Sequence, residues 1–398
     1  MVLITMFFFF SLVILSDPCE QKAIGWKGKI EIKDGVKVIM NPTEPQYGEI
    51  WLELEEDIRI GTDKDLNYLF YRIRDIKVDT DGIIYVLDSG NNRIQVFDNK
   101  GKYLSTIGKE GQGPGELNAP VCLQINDETK HIFVTDRSRR IIIFDKGGTH
   151  IDRDIHLVEY LTDFYLDSDD SIWGRFLLPA PAMHLIKKIS PTGKVEKTFA
   201  EIPYPINSLI LSHSKVGNAE NTEAYFFTHG YEYDVHVSKV INHVFIYGYS
   251  NEYKLHVVDE AGEVLFIIRK YETPKEIAKN EKEQVINLTR QNLLKRGKFV
   301  PEISIEFPKY TPYYYSIATD DLGRIYIRRN PSSHEPNIDH EYDVFNKEGL
   351  CLYKVHLNYY PDVIKDGYLY TRIANEETGE EQIRRYKIKN WNQIKTGI

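Results

Sequence analysis

Arginine supplies most of the recognition chemistry this sequence could offer. Arg72 and Arg74 precede the apolar alternation that begins at Ile76, and Arg137 and Arg139 follow the apolar run 132–135. Arg175, Arg328, Arg329 and Arg372 each follow a later apolar-aromatic run. A guanidinium presents its donors as a planar fork that matches carboxylates and phosphates. Its recurrence at the same end of successive apolar runs points to a shared anion-facing surface. Arg93 and Arg140 read differently, because each closely follows an aspartate, Asp88 or Asp136, and is expected to pair with it. Tyr231, Tyr233 and Tyr313 to Tyr315 offer ring faces that can stack on sugars or peptide side chains, or pack between strands. The candidate ligand-binding set is Arg72, Arg74, Arg137, Arg175, Tyr231, Arg328 and Arg372.

Catalytic signals are weaker. His229, Asp234, His236, His334, Glu335 and His340 could ligate a metal, but no H-x-x-x-H, H-E-x-x-H or paired-cysteine spacing ties them together. No G-x-S-x-G elbow or G-K-[ST] phosphate loop is present. The expectation is no catalytic residue, no metal and no cofactor.

The elements that must position the arginines come from an internal repeat. Residues 74–108 alternate apolar stretches with Asp/Gly turns and read as four short antiparallel strands, A to D. A second copy follows at 121–148, and weaker copies centre on Trp173, Phe245, Tyr326 and Tyr370. The strand-B aromatic thus recurs at 85, 133, 173, 245, 326 and 370, spacings of 48, 40, 72, 81 and 44. A propeller blade takes roughly 40–50 residues. The two long gaps are expected to hold an irregular connection at 200–222 and a helix over 273–297. That helix would start at Thr273-Pro274-Lys275-Glu276 and turn Ile277, Val285, Leu288 and Leu294 inward. The fold class expected is all-β: a six-bladed β-propeller of four-stranded antiparallel blades over 27–390, with one helical insertion between blades four and five. Segments 29–40 and 50–60 would supply one or more strands to the last blade and close the ring.

The run Ile76-x-Val78-Asp79-x-x-Gly82-x-Ile84-Tyr85-Val86-x-Asp88-x-x-Asn91-x-Arg93-Ile94-Gln95-Val96-Phe97-Asp98 resembles an NHL repeat. Gly111-Gln112-Gly113-Pro114-Gly115-Glu116-Leu117-x-x-Pro120 resembles the join between two such repeats. From about residue 27 the chain is similar to a bacterial family of exported six-bladed propellers whose molecular function is poorly defined. The resemblance implies the fold and says little about activity. An arginine-rich propeller face also resembles the RNA-binding NHL domains of animal regulatory proteins.

Composition argues against that last partner. The 398 residues carry 50 Lys plus Arg against 59 Asp plus Glu, a net charge of 50 − 59 = −9, where nucleic-acid binding favours a basic balance. Residues 2–15 form an apolar run without Lys or Arg, shorter than the ~20 residues of a spanning helix. Residues 1–18 are therefore expected to be a signal or N-terminal anchor, with Cys19 at the place of a lipidated cysteine although Ser16-Asp17-Pro18 does not match a lipobox. The protein is expected to be exported, periplasmic or membrane-anchored on the extracytoplasmic side. Cys122 and Cys351 fall in blades two and five, too far apart to bridge.

In such a blade the A–B and C–D turns share one rim and the B–C and D–A connections the other. The first set is short and regular here; the second holds 108–120, 174–183, 200–222, 273–297 and 329–340. Long irregular connections usually carry binding. The function expected is a monomeric, non-catalytic scaffold taking a protein, peptide or small anionic or carbohydrate ligand on the D–A/B–C face. The alternative is a metal-dependent propeller hydrolase or lyase with its site in the central channel.

Overall fold

A computed structural model describes residues 25–397 apart from 62–64, 180, 204–208, 217–218, 227–229, 242, 296–302, 304, 330–338 and 375–379. Six sheets carry the fold. Blade one is Ile73–Val78, Ile84–Asp88, Arg93–Phe97 and Tyr103–Ile107, strands A to D in antiparallel order. Blade two is Pro120–Ile125, His131–Asp136, Arg140–Asp145 and the short Ile155–His156. Blade three runs Tyr160–Leu166, Ile172–Leu178, Met183–Ile189 and Val195–Pro203. Blade four is Val235–Ile241, Val244–Tyr249, Lys254–Val258 and Val264–Lys270. Blade five is Ser316–Thr319, Ile325–Arg328, His340–Phe345 and Cys351–Leu357. Blade six contributes Val363–Lys365, Tyr368–Ala374 and Glu381–Ile388.

The turn chemistry explains the repeat. Asp79 Oδ1 accepts the N–H groups of Asp81 and Ile83, both at 2.9 Å, while Gly82 sits at φ 79°, where a side chain would be strained. Asp320 and Gly323 rebuild the same turn in blade five, with Asp320 Oδ1 accepting from Leu322 and Arg324. The aromatics Tyr85, Phe133, Trp173, Phe245, Tyr326 and Tyr370 are all buried. Six apolar clusters fill the junctions between neighbouring blades, six with one included, and these aromatics belong to five of them, Trp173 and Phe245 sharing one. The cluster between blades six and one closes the ring, packing Ile60, Tyr370 and Ile383 against Ile73, Ile84 and Phe97.

The N-terminal segments serve three blades. Leu54–Ile60 pairs antiparallel with Glu381–Ile388 and completes blade six. Glu49–Trp51 instead pairs in parallel with the outer strand of blade five, and Val36–Asn41 with that of blade four, where Lys29–Lys33 adds a further edge. Asn41 fixes this course: its amide donates to Gly349 O at 2.9 Å and its carbonyl accepts from Cys351 N at 2.8 Å. Among the described residues the one α-helix, Lys279–Lys295, lies between blades four and five. It begins after 275–277, because that stretch pairs with 309–311, Thr311 N donating to Lys275 O at 2.8 Å. Glu281 then caps the first turn through Ala278 N at 2.8 Å. Ile286 and Leu293 face Ile303, while Leu288 and Leu294 point outward. The 200–222 connection contains a hairpin, Leu209–Val216 with Ala219–Phe226. Cys122 and Cys351 are buried and unbridged; Cys19 lies outside the described residues.

Candidate ligand-binding face

The A strands line a central channel that opens on both rims. On the D–A/B–C side the mouth is a cavity of about 560 Å³, bordered by Arg74, Asp75, Asp163, Tyr360, Asp362 and Arg372. The opposite mouth, about 460 Å³, is bordered by the acidic turn residues Asp127, Glu128, Asp320 and Asp321 with Lys239 and Lys365. Tyr165, Thr319 and Ile364 belong to both and mark the waist.

The arginines of the first mouth divide into three kinds. Arg72, Arg74 and Arg137 are exposed, and none has an ion pair among the described residues. Contacts at the junction of blades one and two bring the connections carrying Arg72 and Arg137 together, and Arg74 follows Arg72 by two residues. Ser89 N donates to Arg72 O at 3.2 Å, Ser89 Oγ to Pro120 O at 2.7 Å, and Arg137 N to Asn118 O at 3.3 Å. Arg139 extends the group toward blade three, donating to Val158 O at 2.7 Å and lying 5.1 Å from the Tyr160 ring centre. Leu66, Leu69, Tyr71, Val158 and Tyr160 are exposed along the same course. Arg72 itself stacks on Tyr71 at 5.4 Å.

Arg175 and Arg372 are engaged by the protein's own carboxylates. Arg175 meets Asp163 and Asp234, each at 2.6 Å, and donates to Thr162 Oγ1 at 2.9 Å. Burial alone would raise the Asp234 pKa, yet Arg175 holds it down to about 2. His184 and His236 beside this group are lowered to about 4, chiefly by burial. Arg372 pairs with Asp362 at 3.2 Å and donates to Ile73 O and Arg74 O at 2.9 and 2.7 Å, clamping blade six onto blade one. Burial raises the Asp362 pKa in spite of that partner. Tyr231 is half-buried, edge-on to Phe307 at 6.3 Å. Arg328 is the third kind: buried, with its guanidinium 5.0 Å from the Tyr360 ring centre. The two arginines expected to be structural are so: Arg93 reaches Asp88 at 2.9 Å and Arg140 reaches Asp136 at 3.2 Å.

Of the metal-ligand candidates, His229, His334 and Glu335 lie outside the described residues. Asp234 and His236 belong to the Arg175 group, and His340 is fully buried. The described side chains that converge closely enough for a cation are Asp167, His243 and Glu260, on the opposite rim. No local spacing announces them, since they come from turns of two blades. Lys188 already stands 3.4 Å from Asp167 there.

A family model, DUF5128, described as a 6-bladed beta-propeller, matches residues 58–176. The chain is a six-bladed β-propeller. Solved structures match over most of the chain at low identity. A Bacteroides fragilis protein described as exported is 11% identical, with 88% of this chain and 100% of that one covered at a TM-score of 0.53. A DUF4221-family member from Bacteroides vulgatus is 14% identical, covering 85% and 98% at 0.53. Virginiamycin B lyase from Staphylococcus aureus is 11% identical, covering 84% and 99% at 0.43. At these identities the likeness concerns the propeller fold alone. No curated protein matches the sequence. No helix among the described residues is long and apolar enough to cross a membrane.

Proposed function

We propose that this propeller is a non-catalytic binding scaffold that takes an acidic peptide or protein segment on its D–A/B–C face, outside the cytoplasm. One observation carries the reading: Arg72, Arg74 and Arg137 stand exposed and without ion pairs among the described residues, on the same rim of blades one and two, in a protein of net charge −9. Most other arginines of this face find carboxylates, so three left open are available to a partner's. Exposed Tyr71, Tyr160, Leu66 and Leu69 beside them supply the aromatic and aliphatic anchors typical of protein interfaces. The apolar run at 2–15 supports export, in keeping with the description of the Bacteroides fragilis protein.

The test is capture of Asp/Glu-rich peptides by the immobilised protein, with glutamine-substituted peptides as controls. The triple variant R72E/R74E/R137E is expected to abolish capture, and raised salt to weaken it in the wild type. Equal capture by the triple variant would sink the proposal. Capture of the glutamine controls as tightly as the acidic peptides would sink it as well.

A further inference from the structure

Between blades five and six, five buried polar atoms have no hydrogen-bond partner of good geometry among the described residues. They are Nε and Nη1 of Arg328, the Tyr342 hydroxyl, and both ring nitrogens of His340. They share one spot. Arg328 and Tyr342 are cross-strand partners on strands B and C of blade five, which puts their Cβ atoms about 5 Å apart. His340 precedes Tyr342 by two residues and projects on the same side of the sheet. Tyr360 covers the group: the Arg328 guanidinium lies 5.0 Å from its ring centre and the His340 imidazole meets it edge-on at 6.0 Å. Tyr342 and Tyr360 also border the channel-mouth cavity.

A guanidinium cannot shed its charge, so burying one with two empty nitrogens is costly unless something fills them. The nearby carboxylates are already taken. Asp362 is held by Arg372, Asp339 by His356, and Asp343 by Lys270 and Tyr253. Burial and Arg328 both keep His340 neutral, and burial keeps Tyr342 protonated as a donor. The niche therefore carries one positive charge and a hydroxyl that lies within reach of Arg328 and still has its own proton to donate.

We propose that this niche receives the carboxylate of a ligand entering from the channel mouth, with Arg328 and the Tyr342 hydroxyl as donors and Tyr360 swinging aside to admit it. A single positive charge balances a monoanion. A phosphate dianion would leave excess negative charge close to Asp362 and Asp163. The cavity of about 560 Å³ accommodates the rest of the ligand. The carboxylate has two sources, a free small organic acid or the C-terminus of a peptide.

Calorimetric titration of the full chain distinguishes them. The probes are acetate and hexanoate, a tripeptide with a free C-terminus, the same tripeptide amidated, and inorganic phosphate. Saturation by the free acids alone assigns a small-molecule acid; saturation by the free-ended tripeptide but not the amidated one assigns a chain end. In either case Tyr342→Phe is expected to weaken binding ~5-fold or more and Arg328→Lys ~10-fold. Removing a hydroxyl that has no hydrogen bond of good geometry should leave the melting temperature of Tyr342→Phe nearly unchanged, so its binding loss is readable without a folding defect. The R72E/R137E variant, which leaves Arg74 at the cavity border intact, is expected to bind the carboxylate normally, which separates this site from the exposed arginines of the rim. The proposal is overturned if no carboxylate saturates, if phosphate or the amidated tripeptide binds as tightly, or if Tyr342→Phe binds like the wild type.

Discussion

Arg175 and Asp234 form an ion pair at 2.6 Å across the junction of blades three and four. Asp163 holds the other side of the same guanidinium, also at 2.6 Å. An arginine that sequence position alone would offer to a ligand therefore works as a staple between blades. Its removal leaves two carboxylates facing each other. Arg175→Met is expected to cost roughly 1–3 kcal/mol. The lower part of that span is favoured by the exposure of Asp163 and Asp234, 48% and 41%, which lets water screen the pair. Urea denaturation measures the loss, and an unchanged midpoint would refute the staple.

Arg72 occupies left-handed backbone at φ 59°, and the D–A connection into blade two repeats that conformation at Ala119, φ 49°. The repeat geometry thus demands the conformation, and an arginine there is strained where asparagine is tolerated. Its side chain contributes only a stack on Tyr71 in return. Arg72→Asn is expected to stabilise the fold by roughly 0.5–1 kcal/mol while weakening capture of acidic peptides. Thermal melting and peptide binding, measured on one preparation, would show whether the two move in opposite directions. A variant that is both less stable and equally good at binding contradicts the role given to Arg72.

Acid should loosen the propeller before its carboxylates titrate. His184, His236 and His256 are lowered from 6.5 to about 4, burial being the largest cause for each. A base whose folded pKa is depressed takes up its proton more readily when unfolded, so each favours the fold fully above about pH 7. That contribution declines as pH falls from about 6.5 to 4 and is gone below. Asp234, held at about 2 against an ordinary 3.8, adds a second decline between those values. Melting temperature against pH is expected to fall between 6.5 and 4, and His236→Gln to flatten part of that slope. A flat profile from pH 7 to 4.5 would contradict the buried neutral histidines.

The sequence by itself determined the repeating unit. Asp79 and Gly82 build their turn within five residues, a blade strand spans about six, and Arg93 finds Asp88 five positions back. Backbone sterics and side-chain-to-turn hydrogen bonds act over such distances, so the strand-B aromatics from Tyr85 to Tyr370 announce positions buried between blades. Their six-fold recurrence was enough to give the architecture. The rim carrying the irregular connections followed from chain geometry.

What only the tertiary structure decided is which partner each charged group meets. Arg372 donates to Ile73 O across 299 positions, and Asn41 reaches Gly349 across 308. No local spacing encodes contacts made when the ring closes. The parallel strands 36–41 and 49–51 join blades four and five because Asn41 satisfies backbone groups there, a preference invisible until the blades are neighbours. Seven candidates that looked alike as a set thereby separate. Arg72, Arg74 and Arg137 remain open to solvent, Arg175 and Arg372 are bound to carboxylates, and Tyr231 packs on Phe307. Arg328 is sealed beneath Tyr360 with two nitrogens unpaired. Residue type set the chemistry available to each, and burial at the blade junctions decided which of them could still use it.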